Sequence, residues 1–324
     1  MEFLVPVLFL AAGIALLGFG ADVLVRGAVG LATLARVSSA VIGLTIVAMG
    51  TSLPELTVGV AASLKGASDI GVGNVVGVNV FNVCVVLGIS ALILPMRVHG
   101  AAVRLEWPFM FLASFILFLL ARDGTLDRVE GAFFVVSLGL FVAYVVRIGR
   151  KDVQGEEKAD LQELIELKTF GDRLRRMGPA LGLIGGGIAV LIVGGEVLMR
   201  GALSLAHSAG MSERMIGLTV VAFGTGTPEV ATAIVAARRG QSELALGNVI
   251  GSNIVNILGI LGVTALIRPL ALDPAAVNHD IPWMLGFSLV LLPIMRRGSV
   301  IDRSEGALLL VAYVGYLVLL ALGY

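Results

Sequence analysis

The hydrophobic residues of the chain fall into about ten long stretches with few charges, separated by shorter polar segments. A helix needs roughly 17 to 25 mostly apolar residues to cross a bilayer core, which is close to the length of these stretches. The pattern therefore predicts an all-α integral membrane protein with about ten transmembrane helices. We place the spans at Leu4–Gly30, Ser38–Leu64, Ile70–Leu94, Leu105–Ala121, Glu130–Val146, Pro179–Leu205, Arg214–Ala237, Leu244–Ile267, Ile281–Met295 and Glu305–Leu322.

One long polar segment, Arg147–Arg176, divides the chain into two halves of five spans. We expect a first five-helix repeat at residues 1–146, a cytoplasmic linker at 147–176 and a second five-helix repeat at 177–324. Within the linker, four apolar residues share one face of a short helix: Leu161, Leu164, Ile165 and Leu167. Such a helix either lies along the membrane surface or belongs to a solvated linker, and the sequence leaves both open.

Composition agrees with membrane surroundings and excludes several functions. Apolar residues make up 57% of the chain and charged residues 14%, against about 25% charged in soluble domains. The net charge is zero and no basic tract is present, which argues against nucleic-acid binding. The single cysteine, Cys84, excludes an internal disulfide. No positive charge precedes the first stretch, which is too long for a signal peptide, so we expect a retained span.

The basic residues predict the orientation in the cell membrane. With Arg147–Arg176 in the cytoplasm, lysines and arginines divide roughly 17 inside to 6 outside. We therefore expect both termini outside the cytoplasm.

The two halves are related in sequence. A shift of 174 positions aligns "VIGLTIVAMGTSLPEL" (Val41–Leu56) with "MIGLTVVAFGTGTPEV" (Met215–Val230), and Gly73–Asn82 with Gly247–Asn256. Because each half has an odd number of spans, the second half enters the membrane from the opposite side. The sequence thus predicts inverted repeats, whose matching segments meet near the membrane midplane at the substrate site of many transporters.

The second span of each half is interrupted and carries a carboxylate. Pro54 and Pro228 lack an N–H, and Glu55 and Glu229 follow them directly. We expect carbonyls near these breaks to lose their helical partners, at Ala48, Thr51, Ala222 and Thr225. A charged side chain at membrane depth costs about 2.5 to 3.5 kcal/mol, so a symmetric pair indicates function. The structural alternative is a proton-sharing pair that only joins two helices.

Two glutamates balance one divalent cation, and hard cations such as Ca²⁺ take about six to eight oxygen ligands. The sequence offers the hydroxyls and amides of Thr51, Ser52, Thr225, Ser252, Asn82 and Asn256 beside the glutamates. Zinc or copper is disfavoured, because Cys84 has no sulfur partner and His99, His207 and His279 lie at span ends or in loops.

Other polar residues near the motifs have simpler interpretations. We expect Asn74, Asn79, Asn248 and Asn253 to bond broken backbone rather than ligate an ion. The partners are four residues apart in two pairs of oppositely charged residues, Asp22 with Arg26 and Glu196 with Arg200. This spacing predicts ion pairs at helix ends. The glycines of the "GN..G.N" segments are equally consistent with close helix packing alone.

With "GTSLPE" and "GTGTPE" on broken second spans, each followed by a "GN..G.N...N" span, the whole chain resembles the sodium/calcium exchanger branch of the calcium/cation antiporter superfamily, in its prokaryotic form. The resemblance implies that Glu55, Glu229, Thr51 and Thr225 bind Ca²⁺. It also implies surrounding sodium subsites, to which Ala48, Ser52, Asn82, Ala222, Ser252 and Asn256 would contribute.

The chain departs from the family pattern at three positions. Val78 and Gly226 stand where the pattern has serines of one sodium subsite, and Asn256 stands where some members carry Asp. One sodium subsite therefore looks weakened, which leaves room for reduced sodium coupling or proton coupling.

The leading hypothesis is secondary antiport of Ca²⁺ against Na⁺ by alternating access, and the alternative is an H⁺-coupled Ca²⁺/cation antiporter. A channel normally needs a symmetric oligomer around a pore, whereas both copies here lie in one chain. Motifs for intramembrane catalysis are missing, so we expect no enzyme activity. The expected partners are the transported ions and the lipid bilayer, with no cofactor and no required oligomer.

Overall fold

The computed structural model describes residues 4–66, 68–156, 170–208 and 222–322. Over these ranges the chain forms helices joined by short connections. In chain order they are α1 Leu4–Ala35, α2 Ser39–Thr51, α3 Leu53–Leu64, α4 68–93, α5 Ala102–Asp123, α6 Arg128–Glu156, α7 Phe170–Ser208, α8 Ala222–Thr225, α9 Thr227–Arg238, α10 Ser242–Ile267, α11 Ala276–Arg296 and α12 Arg303–Leu322.

The protein is an all-α integral membrane protein, as the hydrophobic pattern predicts. Eight of the described helices are long and apolar enough to cross a membrane, and the bent pair α2 and α3 makes up to nine. The seventh predicted span, Arg214–Ala237, is described only from Ala222 onward, so the count of ten stays a prediction.

Helices α6 and α7 extend into the predicted linker from both sides, to Glu156 and from Phe170. The four apolar residues that predict a surface helix, Leu161, Leu164, Ile165 and Leu167, lie outside the described residues.

Two small antiparallel sheets join the halves of the chain. Strand β1 (Met96–Arg97) pairs with β4 (Val300–Ile301), and β2 (Thr125–Leu126) pairs with β3 (Leu270–Ala271). Each sheet takes one strand from each half, so the connections of one half are fixed to those of the other.

Helices α6 and α12 begin with the same capping arrangement. The backbone N–H of Glu130 donates to Asp127 while its side chain accepts the Asp127 N–H, and Asp302 with Glu305 repeats this pattern. An acidic residue three positions before a glutamate satisfies two free donors of a helix start in this way.

Helices α4 and α10 form the centre of the bundle. About 78% of the apolar window of each is buried, against 22 to 28% for α1, α5, α6, α7 and α12. The outer helices expose large apolar side chains such as Phe19, Leu140 and Val311, which suits a face in contact with lipid.

Helices α1 and α7 pack along each other through glycines at related positions. A Cβ added to Gly13 would lie 2.6 Å from Leu198 Cβ, and one added to Gly187 would lie 2.6 Å from the Leu24 backbone nitrogen. At Gly20 and Gly194 the nearest atom to an added Cβ would lie at 2.9 Å. Because glycine has no side chain, the two backbones can come this near.

The bend that the prolines predict lies at Ser52 and Gly226. Both residues have φ near −80° and ψ near zero, and α2 and α3 meet at 45°. Nearby helices widen into π turns at Gly43–Val47, Asn82–Val86 and Val255–Leu261. Such widened turns are frequent at functional sites, and here they bring Asn82 and Asn256 beside the broken helices.

Candidate cation site between the two halves

Glu55 and Glu229 lie in the first turns of α3 and α9, just after the two breaks. Both side chains have no exposed surface, and none of their carboxylate oxygens has a hydrogen-bond partner within the described residues. The two carboxylates are near enough to repel each other. Buried carboxylates without partners are strongly destabilising unless a cation or protons compensate them. The pair is therefore suited to holding a cation.

Neutral side-chain oxygens from both halves lie on the broken helices and on the helices packed against them. The Thr51 hydroxyl lies 3.5 Å from the Ser252 hydroxyl, and Thr51 is also a neighbour of Glu229. Ser52, Asn82 and Asn256 are fully or almost fully buried, and each has a side-chain oxygen without a hydrogen-bond partner among the described residues. Unpartnered buried oxygens of this kind are the ligands that hard cations use.

The structure gives less detail for the other predicted ligands of the cation site. Ala48 is buried and Thr225 is half-buried. Ala222 begins α8, and its side chain lies outside the described part of the structure.

The structure corrects the expectation for the Ala48 carbonyl. This carbonyl keeps a helical partner, because it accepts the backbone N–H of Ser52 at 3.1 Å. The donor missing at each break is the backbone N–H that proline lacks. In an unbroken helix this N–H would bond the carbonyl four residues earlier. In the second half the Thr227 hydroxyl replaces it by donating to Gly224 O at 2.7 Å.

Four asparagines form a ring across the contact between α4 and α10. Asn79 and Asn253 each donate to the other's backbone carbonyl, at 3.3 and 3.4 Å, in line with the expectation that they bond backbone. Their side-chain oxygens also accept from the amides of the opposite half, Asn82 to Asn253 at 3.0 Å and Asn256 to Asn79 at 2.9 Å. Sequence reasoning missed this second role, although the repeated "N..N" spacing points to it.

The other two motif asparagines differ from the ring. The expectation that Asn248 bonds backbone is wrong for its oxygen, which accepts the Thr51 hydroxyl at 3.4 Å. Asn74 is half-buried, and its amide nitrogen has no hydrogen-bond partner among the described residues.

Phe81 fills the space beside Gly226. A Cβ added to Gly226 would collide with the Phe81 ring, which packs edge-on against Phe223 and Tyr313. In the other half the positions equivalent to Gly226 and Phe81 are Ser52 and Val255. The site is therefore polar on the Ser52 side and apolar on the Gly226 side.

Ion pairs lie away from the glutamates. Asp22 pairs with Arg26 at 2.8 Å and Glu196 with Arg200 at 2.9 Å, as their spacing predicts. The expected position at helix ends is wrong, because α1 continues to Ala35 and α7 to Ser208. Asp22 also pairs with Arg239, at the end of α9, a long-range contact for which the sequence gives no signal.

None of the three histidines lies on α3 or α9, the helices that carry the glutamates. His99 precedes α5 and contacts Glu106 at 2.9 Å. Burial alone would lower the pKa of His99, but the hydrogen bond and charge of Glu106 raise it above its usual value. His207 lies near the end of α7 and His279 near the start of α11.

A helical bundle of two related halves, with broken helices and buried carboxylates where the halves meet, is the architecture of a secondary membrane transporter. The chain belongs to the sodium/calcium exchanger protein family, whose model matches residues 5–147 and 179–322. It is thus a multi-pass membrane protein of a cation exchanger family.

Individual relatives agree over nearly the whole length. The putative antiporter CaxA of Alkalimonas amylolytica is 38% identical over 98% of this chain and 99% of its own. The sodium/calcium exchanger MaX1 of Methanosarcina acetivorans is 34% identical over 97% of both chains. A structure of the sodium-calcium exchanger NCX_Mj superimposes with a TM-score of 0.81 and 30% identity, covering 98% of this chain and 99% of that one.

Proposed function

We propose that the protein exchanges Ca²⁺ for Na⁺ across the cell membrane, with Glu55 and Glu229 as shared ligands of both ions. The observation that carries this proposal is the pair of fully buried carboxylates without hydrogen-bond partners in the described residues, one from each half. Ca²⁺ would also take oxygens from Thr51 and Thr225, and Na⁺ would use Ser52 and Ser252, with Ala48, Ala222, Asn82 and Asn256 completing the shells. Since both ions need the same carboxylates, their binding is competitive, as exchange requires.

Alternating access is supported by an asymmetry around α1 and α7. Helix α1 packs along α9, whereas the equivalent contact of α7 with α3 is slight in the described residues. Asp22 of α1 pairs with Arg239, while Glu196 and Lys65, at the equivalent positions, form no ion pair with each other in the described structure. We propose that α1 and α7 move together and that transport exchanges one of these contacts for the other.

Proton coupling is the second candidate, and a specific observation favours it. Gly226 and Val78 offer no hydroxyl, and Phe81 occupies the space next to Gly226. A site with fewer sodium ligands and two unpartnered carboxylates can take protons as the counter-ion.

We propose no enzyme activity and no resident cofactor, lipid surroundings, both termini outside the cytoplasm, and a working unit of one chain, because one chain supplies both halves of the site. A cysteine introduced at Gly155 should react with an impermeant thiol reagent only from the cytoplasmic side. Labelling from outside intact cells would contradict the orientation.

Flux in proteoliposomes tests the exchange. Purified protein is reconstituted with Na⁺ inside and Ca²⁺ outside, and Ca²⁺ uptake is compared with a second set of vesicles that have only a proton gradient. We expect uptake under the Na⁺ gradient and none with Glu55→Gln. Uptake under the proton gradient alone would favour the second candidate, and no uptake under either gradient would contradict cation exchange.

A further inference from the structure

The ring of Asn79, Asn82, Asn253 and Asn256 determines which end of the Asn82 and Asn256 amides is left without a hydrogen-bond partner in the described residues. The oxygen and nitrogen of an asparagine amide look alike in shape, so only hydrogen-bond partners distinguish the two orientations. A backbone carbonyl accepts and never donates. The ring contains two such carbonyls, and they fix the orientation of every member.

Asn253 donates its NH₂ to the Asn79 carbonyl at 3.4 Å, so its side-chain oxygen must point the other way. That oxygen accepts the NH₂ of Asn82 at 3.0 Å. The oxygen of Asn82 is then the only polar atom of that amide left over, and it is buried without a partner in the described residues.

The second half repeats the arrangement. Asn79 donates to the Asn253 carbonyl at 3.3 Å and accepts from Asn256 at 2.9 Å, which leaves the Asn256 oxygen without a partner. Methionine sulfur atoms support both orientations, because Met284 lies 3.6 Å from the Asn79 nitrogen and Met110 lies 3.5 Å from the Asn253 nitrogen. Sulfur is a weak acceptor, so it too favours NH₂ at that end.

The free oxygens lie on segments that contact the glutamate helices. The π turn that begins at Asn82 packs on α9, which carries Glu229, and the π turn that contains Asn256 packs on α3, which carries Glu55. A flipped amide would direct NH₂ hydrogens, which carry partial positive charge, at any cation held there.

We propose that Asn253 is a positioning residue, which holds the Asn82 amide so that its oxygen and not its nitrogen faces the transported cation. Asn79 does the same for Asn256. The inference rests on the proposed function, since the cation is the one that Glu55 and Glu229 share. Each ligand amide is held by the other half of the chain, so the contact between α4 and α10 must persist through transport.

The proposal is tested by asking whether a carboxylate at position 82, which presents an oxygen in any orientation, restores exchange when Asn253 is replaced. Asn253→Leu removes the acceptor at similar volume, and it should raise the Ca²⁺ concentration for half-maximal exchange about tenfold, with little change in maximal rate. An aspartate at position 82 presents an oxygen whichever way it turns. In the Asn82→Asp background, Asn253→Leu should therefore change the half-maximal concentration by less than about twofold.

The symmetric pair supplies the matched control. Asn256→Asp should rescue Asn79→Leu but not Asn253→Leu, and Asn82→Asp should show the reverse selectivity. If Asn253→Leu does not fold, as judged by size-exclusion chromatography, Asn253→Ala removes the same acceptor with less bulk.

Two results would overturn the inference while cation exchange stands. One is that Asn253→Leu raises the half-maximal Ca²⁺ concentration equally in the parent and in the Asn82→Asp background, which would mean that Asn253 only supports the fold. The other is an unchanged half-maximal concentration for Asn253→Leu. If the parent protein binds no cation in a direct Ca²⁺ titration, both the proposed function and the positioning role are wrong.

Discussion

At the scale of single residues, the two halves of the site differ most at Gly226. Ser52 occupies the equivalent position in the first half, and its hydroxyl is buried without a partner in the described residues. A side chain at 226 would meet the Phe81 ring. The missing hydroxyl is thus part of a local packing arrangement, in which an aromatic ring takes the space of a side chain.

We predict that serines at positions 78 and 226 can be introduced without loss of stability only if residue 81 is made smaller. Gly226→Ser alone should destabilise the protein by about 1 to 3 kcal/mol, because the added atoms overpack against Phe81. Phe81→Val reproduces the Val255 of the second half and makes room. Thermal unfolding in detergent should show the loss for Gly226→Ser and its recovery in the variant with Phe81→Val.

The same variants test the counter-ion. With Val78→Ser added, the three changes should give a steeper sodium dependence of Ca²⁺ uptake than the parent, measured as a higher Hill coefficient. A parent that is already as steep as the triple variant would show that these hydroxyls do not set the coupling.

The chemistry of the site could be predicted from the sequence, but its contacts could not. The motif prolines and the cost of a buried charge indicate Glu55 and Glu229 without any structure. The Phe81 contact joins residues that are far apart in the chain, and its counterpart Val255 gives no hint of it. The asparagine ring is similar, since the repeat identifies its members while their partners depend on how α4 meets α10.

At the scale of helices, the close pair α1 and α7 is held together by backbone contact. We predict that Gly187→Ala will separate the pair, because its Cβ would lie within 3 Å of the Leu24 backbone, which cannot move aside as a flexible side chain can. Unfolding temperature and transport rate should both fall.

Gly186 is the matched control for this prediction. It directly precedes Gly187 on the same helix, and it is exposed. Among the described residues, no atom of another helix lies within 4 Å of the position of its Cβ. Gly186→Ala should keep parental stability or gain slightly from alanine's higher helix propensity. Equal effects of the two substitutions would contradict the role of the close helix contact at Gly187.

Hydropathy predicts where the described helices lie, but not how they bend locally. The break after α2 follows from Pro54, which cannot donate to the helix. The π turns at Asn82–Val86 and Val255–Leu261 have no comparable signal, because no proline or glycine pair marks where they begin. They depend on packing between helices, which a single stretch of sequence does not contain.

At the scale of the whole molecule, the pairing of Asp22 with Arg239 is a contact that transport would have to break. By the proposed topology this pair lies toward the cytoplasm, so we propose that it stabilises the state in which that side of the site is closed. We predict that Asp22→Asn will reduce the population of this state. An exposed ion pair contributes at most about 1 kcal/mol, so the external Ca²⁺ concentration for half-maximal uptake should rise about two- to fivefold.

Glu196→Gln provides the comparison, because Glu196 is the equivalent residue and forms no pair with Lys65 in the described structure. It should leave the external half-maximal concentration unchanged or lower it. A rise equal to that of Asp22→Asn would contradict the assignment of the closed side.

The central claim is that one Ca²⁺ is held jointly by a glutamate from each half, and equilibrium Ca²⁺ binding to the purified protein tests it most directly. The account predicts one Ca²⁺ per chain in the parent and loss of that binding in both Glu55→Gln and Glu229→Gln. Each variant should keep or exceed the parent's unfolding temperature without Ca²⁺, since no hydrogen bond of the described structure is lost and a buried charge is removed. Binding at parental affinity by either single variant would contradict the shared site.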